Sequence, residues 1–264
     1  MKKYLRAYLI SLQETLQRRS SLVMDRLGGV AVMLSLYYFW KTLLSGRPAF
    51  LGYSYPQMLT YVLGMNILRS FALTGRGWEL VGEISSGKIS SYLVRPLNYH
   101  GYALALDLSQ KTVHLFAALL EIGALLIFFH PPFYLQKSVA AMSLFIGSLL
   151  MASLLFFFLE FLVSSLAFWT SESGGPLFFF ELFIQFAAGA FFPLDVLPRL
   201  LQKGLSLSPF PYLVFLPINI YLGRVGQGRA LQDLLISFVW TVVFAAASLH
   251  VWRKGLASYS AEGG

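Results

Sequence analysis

From residue 139 to residue 169 the chain holds a single charged side chain, Glu160, in thirty-one positions. As an α-helix such a run reaches about 46 Å, against a bilayer hydrocarbon core of about 30 Å. It must tilt or project beyond the membrane. Five further apolar runs lie at 27–44, 57–74, 112–129, 177–192 and 231–252. Charged residues make up 12% of the chain, where a soluble domain carries about 25%. That is too little charge to cover a surface facing water all round, so lipid is part of the solvent. The expected fold is all-α: a single polytopic membrane domain over 1–264, with six transmembrane helices.

The segments between the runs have their own patterns. Residues 2–20 read as an amphipathic helix, with Leu5, Tyr8, Leu9, Leu12 and Leu16 at helical spacing and Lys3, Arg6, Gln13 and Gln17 off that stripe. Such a helix lies flat at the interface; the alternative is a helix docked on its own protein. Tyr37, Tyr38 and Trp40 beside Lys41 mark the far interface of the first run. Arg69, near the inner end of the second, is expected to snorkel. Residues 75–110 mix Arg76, Glu79, Glu83, Lys88, Arg95, His100 and Asp107 with Leu80, Val81, Ile84, Ile89, Leu93 and Val94. They read as one or two short surface helices, broken at Gly87 and ended near Pro96. Residues 193–229 are apolar but interrupted by Pro193, Pro198, Pro209, Pro211, Pro217 and Gly223. Their helical pieces are too short to span and are expected to be re-entrant or interfacial.

Six spans put both ends on one side. With the ends inside, thirteen basic residues fall inside and seven outside. The positive-inside rule then places both termini and the 75–110 segment in the cytoplasm and 193–229 outside. The net charge of +8 serves topology and headgroups, not nucleic acid. Arg6, Glu14, Arg18 and Arg19 interrupt what a cleavable signal peptide would need as an apolar run. No internal repeat of the kind found in inverted-repeat carriers is visible.

Catalytic signatures are absent. There is no G-x-x-x-x-G-K-[ST], H-E-x-x-H or G-x-S-x-G. The stretch Gly223 to Gly228 reads as a turn. There is no cysteine, and His100, His114, His130 and His250 are scattered. No catalytic, cofactor-binding or metal-ligating set is expected. Glu121, Glu160 and Glu181 sit inside apolar runs, where each needs a partner, water or a proton. Glu160 and Glu181 suit structural pairing near the cytoplasmic side; Glu121 is the candidate for a translocation path. Ser143 with Gly147, and Ser148 with Ala152, are spaced for close helix approach.

Three features together carry a resemblance. They are the basic interfacial helix, the stretch Ile84-Ser85-Ser86-Gly87-Lys88-Ile89-Ser90-Ser91-Tyr92-Leu93-Val94-Arg95-Pro96, and Phe191-Phe192-Pro193-Leu194-Asp195-Val196-Leu197-Pro198 with Leu201, Gln202, Pro209, Phe210 and Tyr212 behind it. The chain resembles the permease subunits of type-2 ATP-binding-cassette (ABC) exporters, in a bacterial branch carrying the Phe-Phe-Pro-Leu re-entrant motif. The resemblance covers essentially the whole chain. It implies a bacterial cytoplasmic membrane, and a second permease subunit, a paralogue ahead of a second copy. It also implies separate ATPase subunits that hold ATP and Mg. The loop between spans two and three would be the coupling helix, with Glu79, Glu83, Ile84, Lys88 and Arg95 contacting the ATPase. Phe192, Pro193, Asp195 and Pro198 would cap the outer end of the path. A different class stays open: a proton-coupled carrier using Glu121 and Glu160 as a relay. The apolar spans suit any amphiphile and name no cargo.

Overall fold

The structure is a computed structural model that describes residues 2–44, 49–94, 96–170 and 174–259. Eleven α-helices are found there: α1 Lys2–Gln17, α2 Arg19–Leu43, α3 Tyr55–Phe71, α4 Gly77–Ser85, α5 Ile89–Leu93, α6 Tyr99–Phe129, α7 Val139–Ser164, α8 Gly174–Ala187, α9 Arg199–Ser206, α10 Phe215–Tyr221 and α11 Gln227–Ser258. A two-residue hairpin, β1 Ala49–Phe50 and β2 Tyr53–Ser54, joins α2 to α3.

Local chemistry sets several boundaries. Ser54 caps α3 in a reciprocal capping box with Gln57, ahead of Pro56 in the first turn. Asn98 and Ser138 cap α6 and α7 through their side chains. His130 ends α6 in the left-handed region, and Pro131-Pro132 cannot continue a helix.

Contacts gather at two ends. At one, Lys3 Nζ donates to the Pro96 carbonyl (2.6 Å), the Asn98 N–H donates to Tyr4 Oη (3.2 Å), and Tyr259 Oη donates to the Ile84 carbonyl (3.4 Å). This end holds α1, α4, α5 and the tail of α11. At the other, Tyr53 reaches Asp195, and Gln136 Nε2 donates to the Tyr221 carbonyl (2.8 Å). The helices α2, α3, α6, α7, α8 and α11 run alternately between the two ends.

The four long helices are apolar enough to cross a membrane: 22–43 within α2, α6, residues 139–168 of α7 with its terminal turn, and α11. Their apolar side chains point outward as well as inward. Phe116, Leu120, Ile127 and Phe128 on α6, and Leu235, Phe238, Val239 and Val242 on α11, are exposed. So large an exposed apolar surface belongs in lipid. Inside, one core cluster joins Tyr37, Tyr53, Tyr61, Phe156, Leu213 and Ile218. A second surrounds Ile84, Ile89, Tyr99, Phe161 and Trp252.

Several expected boundaries move. The surface segment drawn to 110 ends at 98, because residues 99–111 are the first turns of α6. Their charges, Asp107 and Lys111, are fully buried and pair with each other one turn apart at 2.8 Å. The fifth run, drawn to 192, gives only fourteen residues of helix in α8, about 21 Å. Gly189, at φ +80°, turns the chain there, and its N–H and that of Ala190 close back on Phe186 and Gln185. The second run gives α3, seventeen residues. The segment 2–20 breaks after Gln17, and α1 docks on α6: Tyr8 Oη donates to Thr112 Oγ1 and Tyr4 packs on Gly101. Leu5, Leu9 and Leu16, expected on the apolar stripe, remain exposed.

Candidate functional site

The most constrained polar assembly surrounds α4. The helix is amphipathic. Leu80, Val81 and Ile84 enter the second core cluster with Phe157, Phe161, Leu177 and Trp252. Glu83, on the same buried side, accepts from Tyr99 Oη at the start of α6 and pairs with Arg76 at 3.3 Å. Burial works against the Arg76 charge, but Glu83 and Glu79 more than offset it and hold the guanidinium above its ordinary value. From α7, Glu160 accepts the N–H of Gly77, the first residue of α4. A carboxyl at a helix N-terminus satisfies an orphan amide and opposes the helix dipole. The fit requires glycine: a Cβ at Gly75 would lie 1.7 Å from Glu160 Oε2, and one at Gly77 would lie 2.8 Å from its Cγ. Trp78 hydrogen-bonds Glu181 of α8. Behind α11, Tyr259 donates to the Ile84 carbonyl and packs on Phe168. The chain after α4 turns at Gly87, φ +77°.

Four of the five proposed coupling residues have a definite place. Glu79 and Lys88 are exposed, and Gln110 Nε2 donates to Glu79 at 3.0 Å. Glu83 (8% exposed) and Ile84 (3%) face the protein interior, so their side chains hold the loop to the helices and do not face outward. The reason lies in two partners: Arg76, two turns earlier, neutralises the carboxylate and Tyr99, at the start of α6, donates to it, though sequence position alone places it in a polar loop. Arg95 lies outside the described residues. From Trp78 to Lys88 the exposed positions are Trp78, Glu79, Gly82, Ser85, Ser86 and Lys88; Ser91, Val94, Pro96 and Asn98 are exposed beyond them.

Glu121 on α6 sits 3.8 Å from Arg26 of α2 and accepts from Asn66 Nδ2 of α3 at 2.9 Å. Arg26 also donates to Ser70 Oγ at 3.0 Å. Glu160 has the separate partners described above, so the structure gives each member of the proposed relay its own contacts. Arg69, expected to snorkel, lines a cleft with Arg26 inside the helix assembly.

At the opposite end, Asp195 joins a network that sequence reading did not assemble. Tyr53 Oη lies 2.8 Å from Asp195 Oδ2 and 2.9 Å from Asn219 Oδ1. Arg224 pairs with Asp195 at 3.4 Å, donates to the carbonyls of Leu51 and Gly52, and stacks 3.6 Å from the Tyr53 ring centre. Gln202 Nε2 donates to the Asp195 and Leu197 carbonyls. Phe192 packs on the main core cluster, Pro193 is buried and Pro198 is exposed. The network ties the β-hairpin to residues 193–224, and the distance in sequence hides it.

Burial and the Asp195 charge raise the Tyr53 hydroxyl well above its ordinary value of 10. The contribution of a group raised in the folded state is present below its unfolded value and fades as pH rises through the folded one. Tyr53→Phe is expected to cost about 1–2 kcal/mol. The gap from the unchanged protein should hold steady to about pH 10 and narrow above it. Unfolding followed at pH 7 and through the alkaline range checks both; a gap that widens above pH 10 contradicts the assignment.

Among the described residues, no group of three or more His, Asp or Glu side chains is placed to hold a metal ion. The outward-facing apolar helices and the turns that connect them define an all-α, multi-pass membrane protein. Residues 30–263 match the sequence model of the ABC-2 family transporter proteins, and the chain belongs to that family. It is a membrane permease of an ABC transporter. Comparison with individually curated proteins gave no match.

Proposed function

We propose that this permease forms half of the translocation path of an ATP-driven exporter, with α4 and α5 docking on a separate ATPase subunit. In this reading α2, α3, α6, α7, α8 and α11 make six crossings. The short α8 completes its passage with the turn and the pieces after Gly189. Both termini and the coupling loop are cytoplasmic, in a bacterial cytoplasmic membrane. Residues 193–224 close the outer end. A second permease, a paralogue ahead of a second copy, supplies the other half. ATP and Mg belong to the ATPase.

One observation carries the reading. The loop is not a free surface segment: α6, α7, α8 and the tail of α11 all hold α4 while one face of it stays open. A helix so mounted transmits a push from a partner to four helices at once. The open face offers an aromatic ring, Trp78, together with charges of both signs, Glu79 and Lys88. Such a composition suits a protein contact.

Affinity purification of the chain from its native membranes is expected to bring down a protein with a phosphate-binding loop. The double charge reversal Glu79→Lys with Lys88→Glu is expected to reduce that recovery about tenfold, as loss of two interfacial charge contacts would. The variant should remain folded, because both side chains are exposed. Undiminished recovery with full ATP-driven transport would refute the docking face.

A further inference from the structure

An open cleft of about 230 Å³ lies between α2, α3 and the end of α8. Its walls divide by chemistry. Val32, Met33 and Leu36 of α2 stand with Val62 and Met65 of α3 at one part. Arg26, Asn66, Arg69 and Ser70 stand at the other. Helical periodicity makes the division: positions three and four apart share a face, so each helix presents hydrocarbon and then cation along one stripe.

Among the described side chains the cationic part is under-compensated. Arg26 is near enough to Arg69 for their charges to repel. Glu121 answers Arg26, and Arg69 has no acidic partner among the described side chains. An unpaired guanidinium among apolar helices is costly unless an anion or water meets it. Two further groups on this cleft, Arg26 Nε and Gln185 Oε1, are buried with no hydrogen-bond partner among the described residues. The first is a donor suited to an anion, the second an acceptor suited to a hydroxyl.

Size and access narrow the ligand. Pockets that enclose a drug-sized molecule run to roughly 300–1,000 Å³, so this cleft takes a head group with its chains left among the helices or in lipid. A second cleft of about 360 Å³, lined by Ser11, Glu14, Arg18, Arg76 and Glu79, meets the first at Thr74, which lines both. It lies between α1 and the coupling loop, the level at which lipid head groups sit if α1 is interfacial.

We propose that the cleft between α2 and α3 binds an anionic amphiphile, with Arg26 and Arg69 on the charged head and Val32, Met33, Leu36, Val62 and Met65 against the start of its chains. The assignment rests on the exporter reading and narrows its cargo class. Guanidinium forks match phosphate and carboxylate heads alike, and the Gln185 acceptor favours a head that also carries a hydroxyl.

The test uses the assembled complex in detergent with a fluorescent short-chain phosphatidylglycerol as probe. Phosphatidylcholine of the same chain length and inorganic phosphate serve as competitors. Two variants read the site. Arg69→Gln removes a cation that has no described acidic partner. Gly29→Leu fills the cleft from α2, where an added Cβ meets nothing within 4 Å; leaving glycine also favours the helix. Saturable binding is expected, weakened about tenfold or more by each variant, the scale of a lost charge-assisted hydrogen bond. Phosphatidylcholine should compete poorly. Equal binding by the unchanged protein and both variants overturns the site. Displacement by inorganic phosphate as effective as by unlabelled phosphatidylglycerol overturns the amphiphile and leaves a plain anion site. ATPase recovery is scored separately. Binding of the probe by a chain that captures no ATPase sinks the exporter reading and leaves the cleft standing; capture without binding sinks the cleft alone.

Discussion

Lys111→Met is expected to destabilise the protein by about 3–5 kcal/mol, the cost of leaving a buried ion without its partner. Lys111 and Asp107 are both completely buried, 2.8 Å apart on successive turns of α6. The ammonium also donates to the carbonyl and hydroxyl of Ser153 on α7, at 3.1 and 3.0 Å. It is thus the counter-ion of Asp107 and the polar tie between α6 and α7. Methionine is apolar and cannot answer the carboxylate. Removing both charges is a different matter, because a buried pair replaced by apolar groups of similar volume is often neutral or stabilising. Asp107→Leu with Lys111→Met should therefore recover most of the loss. Thermal unfolding in one detergent, with both single variants and the double, reads the coupling. If Lys111→Met unfolds with the unchanged protein, Asp107 is not a carboxylate that needs a counter-ion and the pair is not ionic.

That pair also shows where the sequence misleads. Asp107 and Lys111 look like the end of a polar loop when counted one residue at a time. Their spacing of four, inside a stretch with Ala103, Ala105 and Leu106, is the signal of a helical ion pair. Hydropathy alone does not separate a solvated charge from a partnered one. The apolar runs themselves are legible because lipid demands them, and the helices recur where the runs lie. Their ends are not, because a turn such as the one at Gly189 costs nothing in hydropathy: the residues around it, Ala187 to Phe192, are as apolar as the helix they leave. The polar face of α4 misleads in the opposite sense. Glu83 reads as surface, and its burial depends on Tyr99, sixteen positions away, and on Arg76. Asp195 stands out as the acidic residue of a proline-bounded motif, yet its partners are Tyr53, 142 positions earlier, and Arg224. Arg69 reads as a snorkelling residue, and the cleft it lines exists only once α2 and α3 pack. What a sequence shows directly is a residue's periodic neighbourhood. The mount of α4, the hairpin network and the cationic cleft each depend on contacts between segments far apart in the chain.

Glu160→Ala is expected to separate ATP hydrolysis from transport. Four ties hold α4: Glu160 of α7 at its N-terminus, Glu181 of α8 at Trp78, Tyr99 of α6 through Glu83, and Tyr259 behind α11 at the Ile84 carbonyl. The first is the tie to the helix that packs most extensively against α11 and also carries Ser153, the partner of Lys111. Alanine removes the carboxyl that accepts the Gly77 N–H and opens space beneath Gly75 and Gly77. Loss of such a cap is worth about 1–2 kcal/mol, and each 1.4 kcal/mol is about tenfold in the balance between the docked and released helix. Transport per ATP hydrolysed should therefore fall about tenfold in the reconstituted complex, while the ATPase stays bound through the unaltered open face. Gly75→Ala should reproduce the effect from the other side, since its Cβ would occupy the place of Glu160 Oε2. Glu160→Gln, which keeps an acceptor oxygen, should retain most of the coupling. Amide exchange at residues 77–80 gives a readout independent of transport: faster in Glu160→Ala and Gly75→Ala, near normal in Glu160→Gln. Unchanged exchange together with unchanged coupling in Glu160→Ala would mean that α4 moves with α6, α8 and α11 alone, and that the contact with α7 serves only to fill the space between them.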